Sequence, residues 1–214
     1  MKELDLVRNF GMKIFVFDTE TTGFINKYEK DLKKQPHVIQ FAWILSEISP
    51  LGGFSLIEEV NIMINPKVPI PYESSQVHHI YDIDVQNAPA IEEVIEKILY
   101  YINTPDIVIW HNIEFDQEMI KLELRRLWKE FEYHPQQTYC TMREGTNICK
   151  IEVTPWRFKF PKLSELHKHL FWEYFVGAHD ALVDVKATLR CFEKMYSQKL
   201  IQIPVKQSQV QSLF

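Results

Sequence analysis

The segment I-F-V-F-D-T-E-T-T-G, residues 14–23, restricts the fold of this chain more than any other. Four consecutive apolar residues, aromatic and β-branched, predict a buried strand over 13–18, ended by polar residues and Gly23. Asp18 and Glu20 are two apart, so on a strand they share one face. Two like charges at the end of a buried strand repel each other and lose hydration, and something positive must offset them. A divalent cation does so: Mg²⁺ takes carboxylate oxygens while keeping several waters. Sites in open α/β sheets gather at strand ends. The alternative is a turn in which both acids face solvent and Asp18 caps the turn.

The rest of the chain fits an α/β domain. Its 214 residues suit one domain, and 46% apolar with 25% charged residues is the balance of a soluble globular protein. Residues 38–48 and 54–64 read as two strands joined at Pro50, Gly52 and Gly53, a hairpin. Residues 25–36 read as a solvated loop or short helix, and the prolines within 65–72 exclude regular structure. Ile91, Val94, Ile95, Ile98 and Leu99 form a helical stripe over 90–102, stopped by Pro105. A second buried strand is predicted at 106–110. A helix comes next over 114–130, with Phe115, Met119, Leu122 and Leu127 inward and Lys121, Arg125, Arg126 and Lys129 outward. Residues 131–161 read as irregular, and two further helices cover 163–171 and 181–196. Strands followed by alternating helix and strand predict a mixed sheet flanked by helices.

Charge and cysteine content narrow the function classes. A net charge of -5 means that a nucleic-acid partner needs a local basic patch or bound cations. Cys140, Cys149 and Cys191 are few and odd in number, which argues for free thiols in a reducing compartment. Cys140 and Cys149 are too far apart for a CxxC zinc knuckle. The first residues lack an apolar signal-peptide core and no stretch approaches a membrane span, so a cytoplasmic protein without a membrane partner is expected.

Two more acid clusters fall at comparable places. The strand 106–110 runs into H-N-I-E-F-D, which puts Asp116 in the first turns of the next helix, where the dipole alone would favour an acid. His111 and Asn112 there read as a loop histidine and a helix cap. G-A-H-D-A-L-V-D, residues 177–184, offers His179 as a general base near neutral pH. Asp180 and Asp184 are one helical turn apart, and either could be the cap and the other the ligand. Four carboxylates at element ends would hold two divalent ions, able to clamp a scissile phosphate and activate water.

D-T-E-T-T-G at 18–23, H-N-I-E-F-D at 111–116 and H-D-A-L-V-D at 179–184, in that order, resemble the three motifs of the DEDDh 3′–5′ exonucleases, in particular the epsilon-type proofreading branch of bacterial DNA polymerase III. V-H-H-I at 77–80 and K-L-S-E-L-H-K-H-L before the last motif extend the resemblance over residues 12–197. It implies a ribonuclease-H-like exonuclease fold with a mixed five-stranded sheet. It also implies an N-terminal extension, 1–11, and a C-terminal tail, 198–214. The implied metal ligands are Asp18, Glu20, Asp116 and Asp184, holding two Mg²⁺ or Mn²⁺ ions, with His179 as general base. Thr19, Thr21, Phe24, Glu73 and His78 are implied contacts of the 3′-terminal nucleotide, although Phe24 could equally be core and Glu73 a loop residue. The implied activity is release of nucleoside monophosphates from the 3′ end of single-stranded DNA in proofreading or repair, with a DNA polymerase as possible partner. RNA is the substrate in other branches of the family, and a non-catalytic binding module would need no such crowd of acids.

Three stretches depart from the shared pattern. His79 replaces a common glycine, so the backbone there is expected to differ. T-P-W-R-F-K-F-P-K, 154–162, alternates rings with cations, which suits a single nucleic-acid strand but also an edge strand with its rings inward, the form expected here. The chain ends Q-V-Q-S-L-F, Gln209 to Phe214, which resembles peptides that bind the replication sliding clamp.

Overall fold

The computed structural model describes residues 11–128 and 135–203. Five strands form one sheet: β1 (Met12–Thr21), β2 (Val38–Ile48), β3 (Phe54–Met63), β4 (Ile107–Trp110) and β5 (Thr138–Cys140). Their spatial order is β3-β2-β1-β4-β5. The β3-β2-β1 part is antiparallel, and β4 and β5 join parallel to β1. The helices are α1 (Tyr72–His78), α2 (Asp82–Val85), α3 (Ile91–Asn103), α4 (Ile113–Arg126), α5 (Thr141–Cys149), α6 (Leu163–Phe171) and α7 (Ala181–Ser197). This is the expected mixed five-stranded sheet flanked by helices.

The two faces of β1 bury different side chains. Ile14 and Val16 join Ala42, Ile44, Ile107 and Ile109 in a core that α6 and α7 close with Leu166, Val185 and Phe192. Phe15 and Phe17 point the other way, into a core of Phe41, Trp43 and Trp110 that α3 and α4 close with Ile95, Ile98 and Met119. Alternation along the strand extends both faces past Phe17: Asp18 and Glu20 continue the face covered by α7, and Thr19 and Thr21 continue the face covered by α4. The strand is longer than its apolar run, because β2 pairs with it as far as Thr21. The register slips between Glu20 and Thr21, the kind of irregularity that re-aims side chains beside a site.

Several expectations are corrected. Residues 131–161 hold β5, α5 and a separate two-stranded ribbon of β6 (Glu152–Thr154) and β7 (Arg157–Phe158). α5 packs closely through Gly145, where an added Cβ would lie 3.0 Å from Pro161 Cγ and 3.1 Å from Leu166 Cδ1. The stretch 154–162 is no edge strand of the main sheet: Trp156 sits in the ribbon turn and is 95% exposed. Arg126 does not point to solvent. Its guanidinium donates to the carbonyls of Leu32, Gln35 and Pro36 and pairs with buried Glu123 at 2.9 Å. Glu123 in turn accepts from the Val38 N–H, so the loop between β1 and β2 is tied to α4. His79 adopts the left-handed backbone (φ 58°, ψ 20°) that caps α1, so it takes the conformation a glycine favours. Ile201 and Ile203, assigned to the tail from the sequence, pack into the core beyond α7. Lys129, the segment 1–10 and the peptide 209–214 lie outside the described residues.

Candidate active site

Three elements converge at the end of β1. Asp18 and Glu20 come from the strand, Asp116 from the first turn of α4, and Asp184 from the first turn of α7. All four line one cleft of about 690 Å³ together with Thr19, Thr21, Phe24, Glu73, His78 and His179. Every site residue expected from the sequence therefore lies on the same cleft.

Each acid is held differently. Asp116 is buried, and its Oδ1 accepts two hydrogen bonds from Thr19, from the N–H at 3.1 Å and from the hydroxyl at 2.7 Å. The donor groups of Thr19 are thereby committed to orienting a carboxylate. Asp184 Oδ2 accepts from the His179 N–H at 3.1 Å, while its buried Oδ1 has no hydrogen-bonding partner among the described residues. Asp180 is the cap: its Oδ1 accepts from the Val183 N–H, which leaves Asp184 to face the cleft. Ligand atoms of Glu20, His179 and Asp184 all lie within 4.8 Å of one another.

The electrostatics reflect the crowding of acids in a half-buried cleft. Burial, then the charges of Asp116, Asp184 and Glu20, holds the Asp18 carboxyl well above the usual range. Burial and the charges of Asp184 and Asp116 push Glu20 up to about 8. Burial raises Asp116 to about 7 against the two Thr19 hydrogen bonds, and Asp184 to about 6 against the His179 N–H. Among the described residues, the four carboxyls of this cleft form no ion pair with a basic side chain. Their oxygens, including the free Asp184 Oδ1, fit hard divalent cations.

Residues not singled out as site residues complete the frame. Buried Gln40 on β2 accepts the Ala181 N–H at 3.0 Å and so pins the start of α7 to the sheet. His111 spans Thr141 Oγ1 at 3.0 Å and the Pro161 carbonyl at 3.1 Å, and burial lowers its pKa to about 4. These contacts join residues far apart in sequence, so no local pattern marks them. At the mouth, Phe24 is 91% exposed and meets Phe115 edge-on, so it is not a core residue. Ser74 on α1 donates to the Thr22 carbonyl and holds the loop after β1 against that helix. His78 Nδ1 accepts from the Ile80 N–H, and burial lowers the pKa of the ring. Glu73 is exposed at the rim.

The RNase T family model, described as Exonuclease, matches residues 15–192. The chain belongs to this exonuclease family. Among curated proteins, this exonuclease domain is 25% identical over 184 residues to a DNA polymerase III PolC-type of Clostridium perfringens, covering 84% of this chain and 11% of that one. It is 28% identical over 196 residues to the PolC-type of Caldanaerobacter subterraneus, covering 89% and 12%. A DNA polymerase III subunit epsilon-like protein of Rhodobacter capsulatus is 30% identical over 118 residues, covering 55% and 15%. The chain thus spans little more than a tenth of the length of the PolC-type relatives. Among solved structures, zinc-bound E. coli ExoI in complex with ssDNA superposes with a TM-score of 0.67 at 17% identity, covering 88% of this chain and 41% of that one. Exonuclease X in complex with 5′ overhanging duplex DNA gives 0.55 at 20% identity, covering 87% and 93%. These likenesses show the ribonuclease-H-like exonuclease fold. No helix among the described residues is long and apolar enough to cross a membrane.

Proposed function

We propose that this exonuclease domain hydrolyses single-stranded DNA from its 3′ end, releasing nucleoside monophosphates, in proofreading or repair. The observation that carries the reading is the convergence of Asp18, Glu20, Asp116 and Asp184 on one cleft with His179 beside them. Those four carboxylates would hold two divalent cations, Mg²⁺ or Mn²⁺, which supply charge to a phosphodiester and acidity to water. Asp18 and Glu20 present their oxygens from a rigid strand, and Thr19 fixes the rotamer of Asp116 against them. His179 lies on a loop at the cleft edge and would take the proton from the attacking water at a ring nitrogen. Phe24 would wedge against the terminal base, with Glu73 and His78 beside its sugar and Thr21 lining the floor.

The ssDNA named in the ExoI complex and the polymerase named in the PolC-type relatives support the DNA substrate and a role beside a polymerase. Within this reading, the tail peptide Gln209 to Phe214 would contact a sliding clamp and the protein would act in the cytoplasm. The deciding experiment is degradation of 5′-labelled single-stranded DNA and matched RNA with Mg²⁺, with Mn²⁺ and with EDTA. A ladder that shrinks from the 3′ end only with metal, faster on DNA, is expected. Faster loss of RNA would move the substrate to RNA, and no cleavage of either would overturn the nuclease reading.

A further inference from the structure

The ribbon β6–β7 is absorbed by neither the core nor the carboxylate cluster. From Glu152 to Lys162 the ribbon and the segment after it carry three cations, Arg157, Lys159 and Lys162, against one acid, Glu152, in a molecule whose net charge is -5. Lys159 is committed to Glu165, but Arg157 forms no ion pair among the described residues. Trp156 sits at the turn with φ 70°, a left-handed conformation that costs a bulky residue free energy. Its ring is 95% exposed, so the fold gains no burial in return. The segment after β7 runs into the cleft, which Phe160 and Lys162 line together with the four acids. Phe160 is 57% exposed there. Four residues of chain separate the Cα atoms of Trp156 and Phe160 by at most about 14 Å.

An exposed apolar ring pair on a ribbon can serve many partners, and charge selects among them. The cleft it borders is dense in carboxylates that repel phosphate, so a strand entering it needs cations close by. The ribbon supplies cations beside rings, the combination that holds unpaired nucleotides: cations for phosphates, rings for base faces. It is also continuous with the cleft through Phe160 and Lys162.

We propose that β6–β7 and the segment after it form a second single-strand contact, upstream of the 3′ end. Phe160 stacks on an unpaired base at the cleft mouth, Trp156 stacks on one farther out, and Arg157 and Lys162 pair with the phosphates between. The proposal rests on the exonuclease reading and adds what sets substrate length: an oligonucleotide too short to reach the ribbon is held by the cleft alone.

The test uses the intact chain and oligothymidylates of four and sixteen nucleotides, 5′-labelled. Two quantities are measured: the ratio of kcat/KM for the long over the short substrate with Mg²⁺, and binding of the long one by anisotropy in EDTA at several salt concentrations. In Trp156→Ala the ratio is expected to fall roughly tenfold, the scale of one stacked base, and Trp156→Phe is expected to restore most of it, whereas Phe160→Ala, inside the cleft, is expected to lower kcat/KM for both substrates. Arg157→Ala is expected to flatten the salt dependence of binding by about 0.7 in log–log slope, one phosphate contact of a single strand. A ratio unchanged in Trp156→Ala and a salt slope unchanged in Arg157→Ala would overturn the ribbon proposal and leave the nuclease reading standing. A wild type that binds the long strand in a ribbon-dependent way but cleaves nothing would overturn the nuclease reading and keep the ribbon. A wild type that neither binds nor cleaves would overturn both.

Discussion

At Asp116 one neighbour, Thr19, supplies both hydrogen bonds that orient the carboxylate. That pairing separates two kinds of residue in the cleft. Asp18, Glu20, Asp116 and Asp184 carry the charge, and their amide isosteres Asn and Gln should lose hydrolysis in Mg²⁺ while the protein still folds. In EDTA each should also raise the melting temperature, by roughly 2–4 °C per kcal/mol of repulsion relieved, because the wild-type carboxylates oppose one another. A metal-free Glu20→Gln protein that melts lower than wild type would contradict that repulsion. His179→Ala should lower kcat by roughly 10²–10⁴, the usual share of a general base, with metal affinity measured by calorimetry largely kept. Thr19→Val removes the hydroxyl but keeps shape and the backbone N–H. It should cost about 10–100-fold in activity or metal affinity, as loss of an outer partner of a ligand does. Full activity in Thr19→Val would mean that the backbone N–H alone positions Asp116. The motif residues were legible because each acid stands in a short, ordered pattern. The hydrogen bonds from Thr19 to Asp116 were not, since they join residues 97 apart in the chain.

Among the elements, α4 and α7 matter most because each delivers one acid from its first turn. Both are fastened by buried polar contacts to distant segments: α7 by Gln40 on β2, and α4 by Arg126 and Glu123 to the loop between β1 and β2. Helical periodicity found both helices to within a few residues but assigned Arg126 to solvent, because an arginine late in an amphipathic helix usually ends there. Only the arrival of the 32–36 loop gives it three carbonyls to bind. Arg126→Ala leaves Glu123 buried without its partner and is expected to cost about 3–5 kcal/mol in urea denaturation. A loss below about 1 kcal/mol would show the pair to be dispensable. The ribbon β6–β7 was hidden for a related reason. Alternating rings and cations specify a strand but not which sheet it joins, and its two short strands pair with each other alone.

For the whole molecule, the ionisable groups predict how stability depends on pH. In the metal-free protein Glu20 rises from 4.5 to about 8, Asp116 from 3.8 to about 7 and Asp184 from 3.8 to about 6. A carboxyl whose pKa is higher when folded holds its proton more tightly in the native state, so stability falls as pH rises through that window. His37 and His111 go the other way, each from 6.5 to about 4, chiefly through burial. They cost stability as pH falls below their unfolded value. The two sets oppose each other below pH 6.5, and above it the carboxylates act alone. The melting temperature in EDTA should therefore fall between pH 6.5 and about 8, and Mg²⁺ should remove that fall by neutralising the cluster. A flat profile in EDTA would show that neither burial nor mutual repulsion raises these carboxyls in the folded chain.

The sequence alone determined the character of the centre of this protein: a strand too apolar to be exposed that ends in carboxylates too close to be left alone, and two further acids at the starts of helices. Period-two alternation and helical stripes are local properties, so β1 to β4, α3, α4, α6 and α7 could be read from neighbours along the chain. The tertiary structure decided what depends on residues far apart. It made Asp180 the cap and turned Asp184 into the cleft, gave Arg126 its carbonyls, let Gly145 bring α5 onto α6, and left Trp156 in solvent at the ribbon turn. Each of these outcomes depends on which distant backbone arrives next to a side chain, and no local spacing encodes that arrival.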